Sequence, residues 1–147
     1  MRDPWDTYFM DIAELVARRA TCIRRSVGAI IVQDRQILAT GYNGAPKGLT
    51  HCTQLGCMRE KLKVRSGQRH ELCRALHAEM NAIIQAAVYG PQIKDSTIYI
   101  TICPCSLCTK MIINAGIKEV KYKGSYPDDF ALQLIKESDV ILTQWKK

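Results

Sequence analysis

The chain has 147 residues, of which 47% are hydrophobic and 24% charged, and this length suffices to bury a substantial core. It has no apolar run approaching the ~20 residues that would span a bilayer, and no charged-then-apolar leader, so we expect a soluble cytoplasmic protein with no membrane partner. The formal charge of +7 raises nucleic acid as a partner. The basic residues are scattered, however, and would suit an anionic small molecule equally well, so we expect no nucleic-acid partner.

The chain begins with the pattern of a helix followed by a hairpin. We predict a helix over residues 4–21, with Asp3 as its N-cap and Pro4 in the first helical position. Two β-branched runs follow, Val27–Val32 and Ile37–Tyr42, separated by a short turn. This arrangement predicts an antiparallel pair of strands.

Residues 43–72 lack clear periodicity and are rich in glycine and cysteine. They predict a long insert with one short helix near residues 58–64. The helical pattern returns at Leu76 and stops at Gly90-Pro91.

The last third of the chain alternates strands and helices. The predicted elements are a strand over 97–101, a helix over 105–115, a strand at 120–122, a helix opened by Pro127-Asp128-Asp129 and a strand at 140–142. The whole order predicts a single α/β domain over residues 1–147, with a five-stranded mixed sheet and helices on both faces.

Two short motifs carry the chemistry, His77-Ala78-Glu79 and Pro104-Cys105-Ser106-Leu107-Cys108. One imidazole and two thiolates are the protein ligands of a catalytic zinc, whose fourth position is left to water. Glu79 would lie near the metal without being a ligand, where a carboxylate can carry a proton to a ring nitrogen and a leaving amine. We expect His77 and Cys105 in the first turns of two helices, with Pro104 at the start of the second. The alternative is a structural zinc with Glu79 incidental.

The H-x-E and P-C-x-x-C motifs match the signature of zinc-dependent nucleobase deaminases. The segment Gly41–Gly48, followed by a cysteine-bearing insert, narrows the resemblance to the deoxycytidylate (dCMP) deaminases of the cytidine/deoxycytidylate deaminase superfamily. The resemblance implies a three-layer α/β/α cytidine-deaminase-like fold. It also implies hydrolytic deamination of dCMP to dUMP and ammonia, which supplies dUMP for thymidylate synthesis, with Glu79 as the catalytic residue.

Substrate contacts are indicated less directly. By resemblance, Asn43 contacts the sugar or phosphate region, although Asn43-Gly44 is also an ordinary turn sequence. A nucleotide phosphate needs a cation or amide donors near the zinc. Arg25 is the candidate, with Tyr126 as a neutral partner; the alternative for Arg25 is a contact with the C-terminus of the first helix.

The remaining cysteines suggest a second metal. Seven cysteines in a chain without a leader indicate metal ligation rather than disulfides. A second, structural zinc would clamp the insert to the end of the first helix. By resemblance, Cys22 and Cys52 match best, then Cys73, with Cys57 favoured over His70 as the fourth ligand. The alternative is buried free thiols.

Assembly and regulation are implied by resemblance alone. Many relatives are homohexamers that dCTP activates and dTTP inhibits at a subunit interface, so we expect a homo-oligomer and consider both nucleotides as effectors. Regulated relatives can carry an arginine where this chain has Val88, which leaves regulation open. Two other functions also remain open: a tRNA adenosine deaminase, which shares both motifs, and a catalytically silent zinc-binding module.

Overall fold

The computed structural model describes residues 1–125 and 127–147, so Tyr126 lies outside the described residues. The elements in chain order are α1 (Trp5–Ala17), β1 (Gly28–Gln33), β2 (Gln36–Tyr42), α2 (Cys52–Leu55), α3 (Met58–Lys61), a 3₁₀ helix (His70–Leu72), α4 (Ala78–Tyr89), β3 (Thr97–Ile100), α5 (Ser106–Asn114), β4 (Glu119–Tyr122), α6 (Asp129–Glu137) and β5 (Ile141–Gln144).

The five strands form one mixed sheet in the order β2-β1-β3-β4-β5. β1 is antiparallel to both β2 and β3, whereas β3, β4 and β5 are parallel. The predicted hairpin is confirmed: Asp34 and Arg35 join β1 to β2 with φ values of 52° and 63°. Two left-handed residues make a turn whose twist matches that of paired strands.

Helices cover both faces of the sheet, which confirms the three-layer α/β/α fold. On one face α1 packs against β1 and β3 through Phe9, Met10, Ala13, Ile30, Val32 and Tyr99. On the other face α4 and α5 pack through Ala78, Ala82, Ala86 and Ile112 against strand residues that include Ala29, Ile31, Ile98 and Ile100. α6 packs beside α5.

Two glycines let helices approach the sheet closely. A Cβ at Gly28 would overlap the carbonyl oxygen of Ala13 in α1, and one at Gly41 would overlap backbone atoms of Ala78 and Ala82 in α4. The tight contact at Gly41 holds the start of α4, where the H-x-E motif lies, against β2.

The first helix is shorter than predicted. It ends at Ala17 rather than at residue 21, and tight-turn hydrogen bonds follow, such as that from Ala20 N to Ala17 O (3.0 Å). The chain must leave the helix there because Thr21 N donates to Asn43 O (3.1 Å). The predicted N-cap is also wrong: Pro4 holds that position in an extended conformation, with no side-chain cap, and Asp3 lies outside the helix.

The insert contains more structure than its sequence indicates. α3 confirms the short helix predicted near residues 58–64, but α2 and the 3₁₀ helix were not predicted. Segments of three or four residues are too short to show a helical period. Among the residues described, no helix is long and apolar enough to cross a membrane.

Candidate active site

His77 is held at the start of α4 by contacts with the segment after β2. Leu76 forms an isolated two-hydrogen-bond bridge with Gly44, with N···O distances of 2.8 and 3.1 Å. One turn further along, Asn81 donates to the carbonyl oxygen of Tyr42 (2.8 Å). The Gly41–Gly48 segment therefore fixes the direction in which α4 begins.

Cys105 and Cys108 lie at the start of α5. Thr109 donates twice to the carbonyl oxygen of Cys105, from its backbone N (2.9 Å) and its hydroxyl group (2.8 Å). The expected placement was off by one residue. Cys105 and His77 are the N-cap residues of α5 and α4, with ψ values of 173° and 158°, and Pro104 precedes the helix. A residue in this extended N-cap conformation points its side chain across the end of the helix and not along the side of the helix.

The structure brings the three expected metal donors together. His77 Nδ1 lies 3.2 Å from Cys108 Sγ and 3.5 Å from Cys105 Sγ, and all three donor atoms lie within 4.8 Å of one another. Within the described parts of the chain, this is the one group of three or more His, Cys, Asp or Glu donors at such distances. One nitrogen and two sulfurs from two helix ends suit a tetrahedral zinc with one open position.

Contacts within this cluster shift the pKa values of all three donor groups. The hydrogen bond with Cys108, and then that with His77, lower the pKa of Cys105 to about 3 despite burial. The hydrogen bond with Cys105 and burial raise the pKa of Cys108. Burial lowers the pKa of His77, but hydrogen bonding to Cys105 outweighs it and the net pKa is raised. In a zinc site both sulfurs bind as thiolates, and one imidazole with two cysteines at these distances is a donor set that fits zinc.

Glu79 lies beside this cluster and is almost entirely buried, with 3% of its surface exposed. Burial raises the pKa of its carboxyl group, although a hydrogen bond with Cys108 acts in the opposite direction. A carboxyl group with a raised pKa accepts and releases a proton close to neutral pH more readily than an exposed glutamate does.

A cavity of about 290 Å³ opens onto the cluster. That volume lies near the lower end for small-molecule sites, about 300 Å³. Its lining includes His77, Glu79 and Cys105, together with Asn43 and Arg25. The cavity therefore brings two of the predicted substrate contacts to the same place as the candidate metal group.

Asn43 both lines this cavity and holds the backbone around it. Its Oδ1 accepts from Val27 N (2.8 Å), and its Nδ2 donates to the carbonyl oxygen of Arg25 (3.0 Å). The turn-forming and site-lining interpretations of Asn43 are therefore compatible. Arg25 is exposed, and its Nη2 donates to Ser66 Oγ in the insert (3.0 Å). Tyr126, its suggested partner, lies outside the described residues.

The four remaining cysteines of the suggested second site lie near one another but not at ligand distances. Burial, followed by the charges of Cys22, Cys73 and Cys57, raises the pKa of Cys52. No three of these sulfurs approach within 4.8 Å among the residues that the structure describes. His70, the alternative ligand, instead makes an edge contact with the ring of His77, with centroids 5.0 Å apart.

Sequence reasoning missed three titratable residues that line the cavity, Arg59, Cys103 and Asp128. Arg59 comes from α3, whose position over the cavity depends on the fold of the insert. Cys103 stands next to the second motif, and burial followed by the charge of Glu79 raises its pKa to about 12. Only its place two residues before Cys105 could have drawn attention to it.

Comparison with known proteins identifies the family. Residues 3–123 match the model of the cytidine and deoxycytidylate deaminase zinc-binding region, and the chain belongs to this family. The chain is 39% identical over 145 residues to the deoxycytidylate deaminase of Schizosaccharomyces pombe and 38% identical over 148 residues to that of Saccharomyces cerevisiae. These matches cover 98% and 99% of this chain.

The two yeast relatives are longer than this chain. It spans only 45% and 46% of the two yeast relatives. By contrast, the dCMP deaminase of cyanophage S-TIM5, solved in complex with dCMP and dUMP, is matched over 99% of both chains, with a TM-score of 0.80 and 31% identity. The similarity therefore extends over the whole fold and not only over the two motifs.

Proposed function

We propose that this protein is a zinc-dependent deaminase that hydrolyses dCMP to dUMP and ammonia. The observation that carries the proposal is the His77, Cys105 and Cys108 group beside a buried Glu79 at a cavity of about 290 Å³. The substrate is inferred from the relatives, which are named deoxycytidylate deaminases, and from the phage enzyme, which was solved with dCMP and dUMP.

His77, Cys105 and Cys108 would hold the catalytic zinc. The chemistry that zinc supplies in such a donor set is the activation of a water molecule as a nucleophile at about neutral pH. The N-terminal ends of α4 and α5 meet at this group, and their partial positive charges favour the thiolate forms that bind the metal.

Glu79 would move the protons of the reaction. Its carboxylate takes a proton from the attacking water and delivers it to N3 of the cytosine ring, while the water oxygen bonds to C4. The proton of the new C4 hydroxyl group then passes through the same carboxyl group to the amino nitrogen, and the C4–N bond breaks as the C4 carbonyl forms and ammonia leaves. A buried carboxyl group with a raised pKa suits both directions of transfer.

The rest of the nucleotide would contact residues farther from the metal. Asn43 lines the cavity and is held rigidly by two hydrogen bonds, as a group that positions a sugar needs to be. Arg25 supplies a cation for the phosphate, and Tyr126 stays the suggested neutral partner.

The insert would bind a second, structural zinc through Cys22, Cys52, Cys73 and Cys57. The support is the clustering of these thiols and the environment of Cys57. Burial raises the pKa of Cys57, but the backbone amides of Glu60 and Arg59 and the side chain of Arg24 together lower it. Such a thiolate binds metal readily.

The wider expectations follow from the family. We propose that residues 1–147 act as one deaminase domain in a cytoplasmic homo-oligomer, a hexamer by resemblance, with dCTP and dTTP as candidate effectors. All seven cysteines are free, as they are in proteins of reducing compartments.

A substrate panel tests this function. The zinc-loaded full chain is assayed for ammonia with dCMP, dCTP, deoxycytidine and tRNA, each with and without added dCTP or dTTP. We expect dCMP to be the preferred substrate. Inosine formation in tRNA would instead support the tRNA deaminase, which the relatives do not favour, and no ammonia from any substrate would indicate a silent binding module.

A further inference from the structure

Two buried nitrogen atoms at the cavity have no hydrogen-bond partner within the described part of the chain, Arg59 Nε and His70 Nδ1. Both come from the insert, which the chemistry of the two motifs does not explain. Buried polar groups are nearly always paired, so an unpaired donor next to a cavity is open to a partner other than the protein, either water or a bound ligand. His70 is also a candidate metal ligand, and Arg59 is therefore the clearer case.

Of the nitrogen atoms in the Arg59 guanidinium group, Nη1 has a hydrogen-bond partner among the described residues and Nε has none. Its Nη1 donates to the carbonyl oxygen of Gln68 (3.0 Å), which fixes the guanidinium, while its Nε stays buried and free. It takes part in none of the ion pairs among the described residues. The guanidinium is thus a positioned donor whose charge is not balanced by a carboxylate of the protein.

The positive charge of Arg59 lies at the cavity in which the substrate is proposed to bind. Arg59 lines the same cavity as Glu79 and Arg25. Of the two carboxylates that line the cavity, Asp128 already accepts from Ala131 N at the start of α6 (2.6 Å), and Glu79 lies at the metal group. Neither carboxylate is ion-paired with Arg59, so a bound anion would find the guanidinium available.

We propose that Arg59 binds the 5′-phosphate of the nucleotide, so that the insert selects nucleotides over nucleosides. This inference rests on the proposed function. A guanidinium offers two parallel N–H donors that match the oxygens of a phosphate, and such charge-assisted pairs are among the strongest hydrogen bonds. Arg25 reaches the cavity from the segment before β1 and is linked to the insert through Ser66, so the phosphate would be held between two arginines.

Equilibrium binding of reaction products tests the proposal without requiring turnover. The dissociation constants of dUMP, deoxyuridine and inorganic phosphate are measured by calorimetry for the zinc-loaded wild type, Arg59→Gln and Arg59→Lys. Arg65→Gln is the matched control, because Arg65 is an exposed arginine of the same insert that does not line the cavity. Zinc content and melting temperature are measured for every variant.

We expect Arg59→Gln to weaken dUMP binding about 10- to 100-fold, as loss of a charge-assisted hydrogen bond does. Deoxyuridine binding should change by less than about twofold, Arg59→Lys should fall in between, and Arg65→Gln should resemble the wild type. Equal weakening of dUMP and deoxyuridine, or none, would overturn the proposal, as would wild-type binding of inorganic phosphate as tight as that of dUMP.

A second measurement covers the case in which the Arg59 variants do not fold. Phenylglyoxal labelling of arginines in the wild type, followed by peptide mass spectrometry, should show protection of Arg59 by dUMP but not by deoxyuridine. Equal labelling with both ligands would overturn the proposal. If the wild type binds dUMP through Arg59 but releases no ammonia from dCMP, the proposed function fails while the phosphate contact stands.

Discussion

Glu79 shows how much chemistry depends on environment rather than on residue type. The spacing of the H-x-E motif predicts that this carboxyl group lies near the metal ligands. It does not predict that 97% of the residue is shielded from solvent, which follows from the 3% exposure in the folded chain. That burial raises the pKa of the carboxyl group and makes it suitable for proton transfer.

The ligand role of Cys105 can be tested against a neighbouring cysteine. Cys105→Ser should lower the zinc content by about one ion per chain and abolish deamination, because a serine hydroxyl is a poor zinc ligand. Cys103→Ser is the matched control: Cys103 is buried at the same cavity but lies outside the three-donor group. It should keep its zinc when measured by plasma mass spectrometry. Equal zinc content in both variants would show that Cys105 is not a ligand.

At the scale of elements, the packing of α1 on the sheet depends on Gly28. We expect Gly28→Ala to lower the free energy of unfolding by about 1–3 kcal/mol, because the added methyl group would overlap Ala13 O and lie 2.7 Å from Ala17 N. Thr40→Ala, on the neighbouring strand, should change it by less than about 0.5 kcal/mol. Denaturant titration of both variants measures this difference, and similar midpoints would mean that α1 can move away from the sheet.

The other end of α1 is joined to the sheet by Asp6. Its carboxylate accepts from Tyr99 Oη (2.6 Å) and from Lys121 Nζ (2.8 and 2.9 Å). Burial raises the pKa of Asp6, but these hydrogen bonds outweigh it, and the pKa lies below its ordinary value of 3.8. Since the folded protein favours the ionised form, this contribution to stability is present above the unfolded pKa and is lost as the pH falls through the folded one.

We therefore expect Asp6→Asn to lower the free energy of unfolding at pH 7 by about 0.5–1 kcal/mol, a small value because solvent screens the pair. The side chain of Asp6 is 42% exposed. The difference from the wild type should shrink as the pH falls below about 4. Asp11→Asn, at an exposed position of the same helix, is the control. A difference that stays constant from pH 7 to pH 3 would contradict this interpretation.

The sequence predicts well the elements that local apolar patterns determine, and it misses the features that depend on contacts between distant residues. The strands and the helices α4 and α5 follow from apolar patterns and agree with the structure within a few residues. The end of α1 depends instead on a hydrogen bond between Thr21 and Asn43, which are far apart in the chain. Phe130, an apolar residue in the first turn of α6, is likewise 53% exposed, although an apolar side chain in an amphipathic helix is expected to face the core. Neither feature has a local signal.

At the scale of the whole molecule, an exposed apolar surface on α4 supports the expected homo-oligomer. Ile84, Val88 and Tyr89 are 46%, 64% and 76% exposed. Val88→Glu should lower the mass in solution measured by light scattering, because a charge buried in an interface costs binding energy. Gln92→Glu, in the exposed loop after α4, should leave the mass unchanged. A wild type that runs as a monomer would contradict the expected assembly.

As with the fold, the sequence predicts one part of the candidate site and misses another. Two motifs predict His77, Glu79, Cys105 and Cys108, because the chemistry requires those residue types at those spacings. Arg59 could not be predicted: it is one of many basic residues, and only the folded insert brings it to the cavity.

The most direct test of the central claim is ammonia release from dCMP by the wild type and by Glu79→Gln at equal zinc content. Glutamine keeps the size of the side chain but cannot carry a proton. We predict that the variant binds zinc as the wild type does and loses at least about a hundredfold in kcat, within the range that general acid–base catalysis contributes. A zinc-loaded Glu79→Gln variant that keeps most of the wild-type rate would contradict the account.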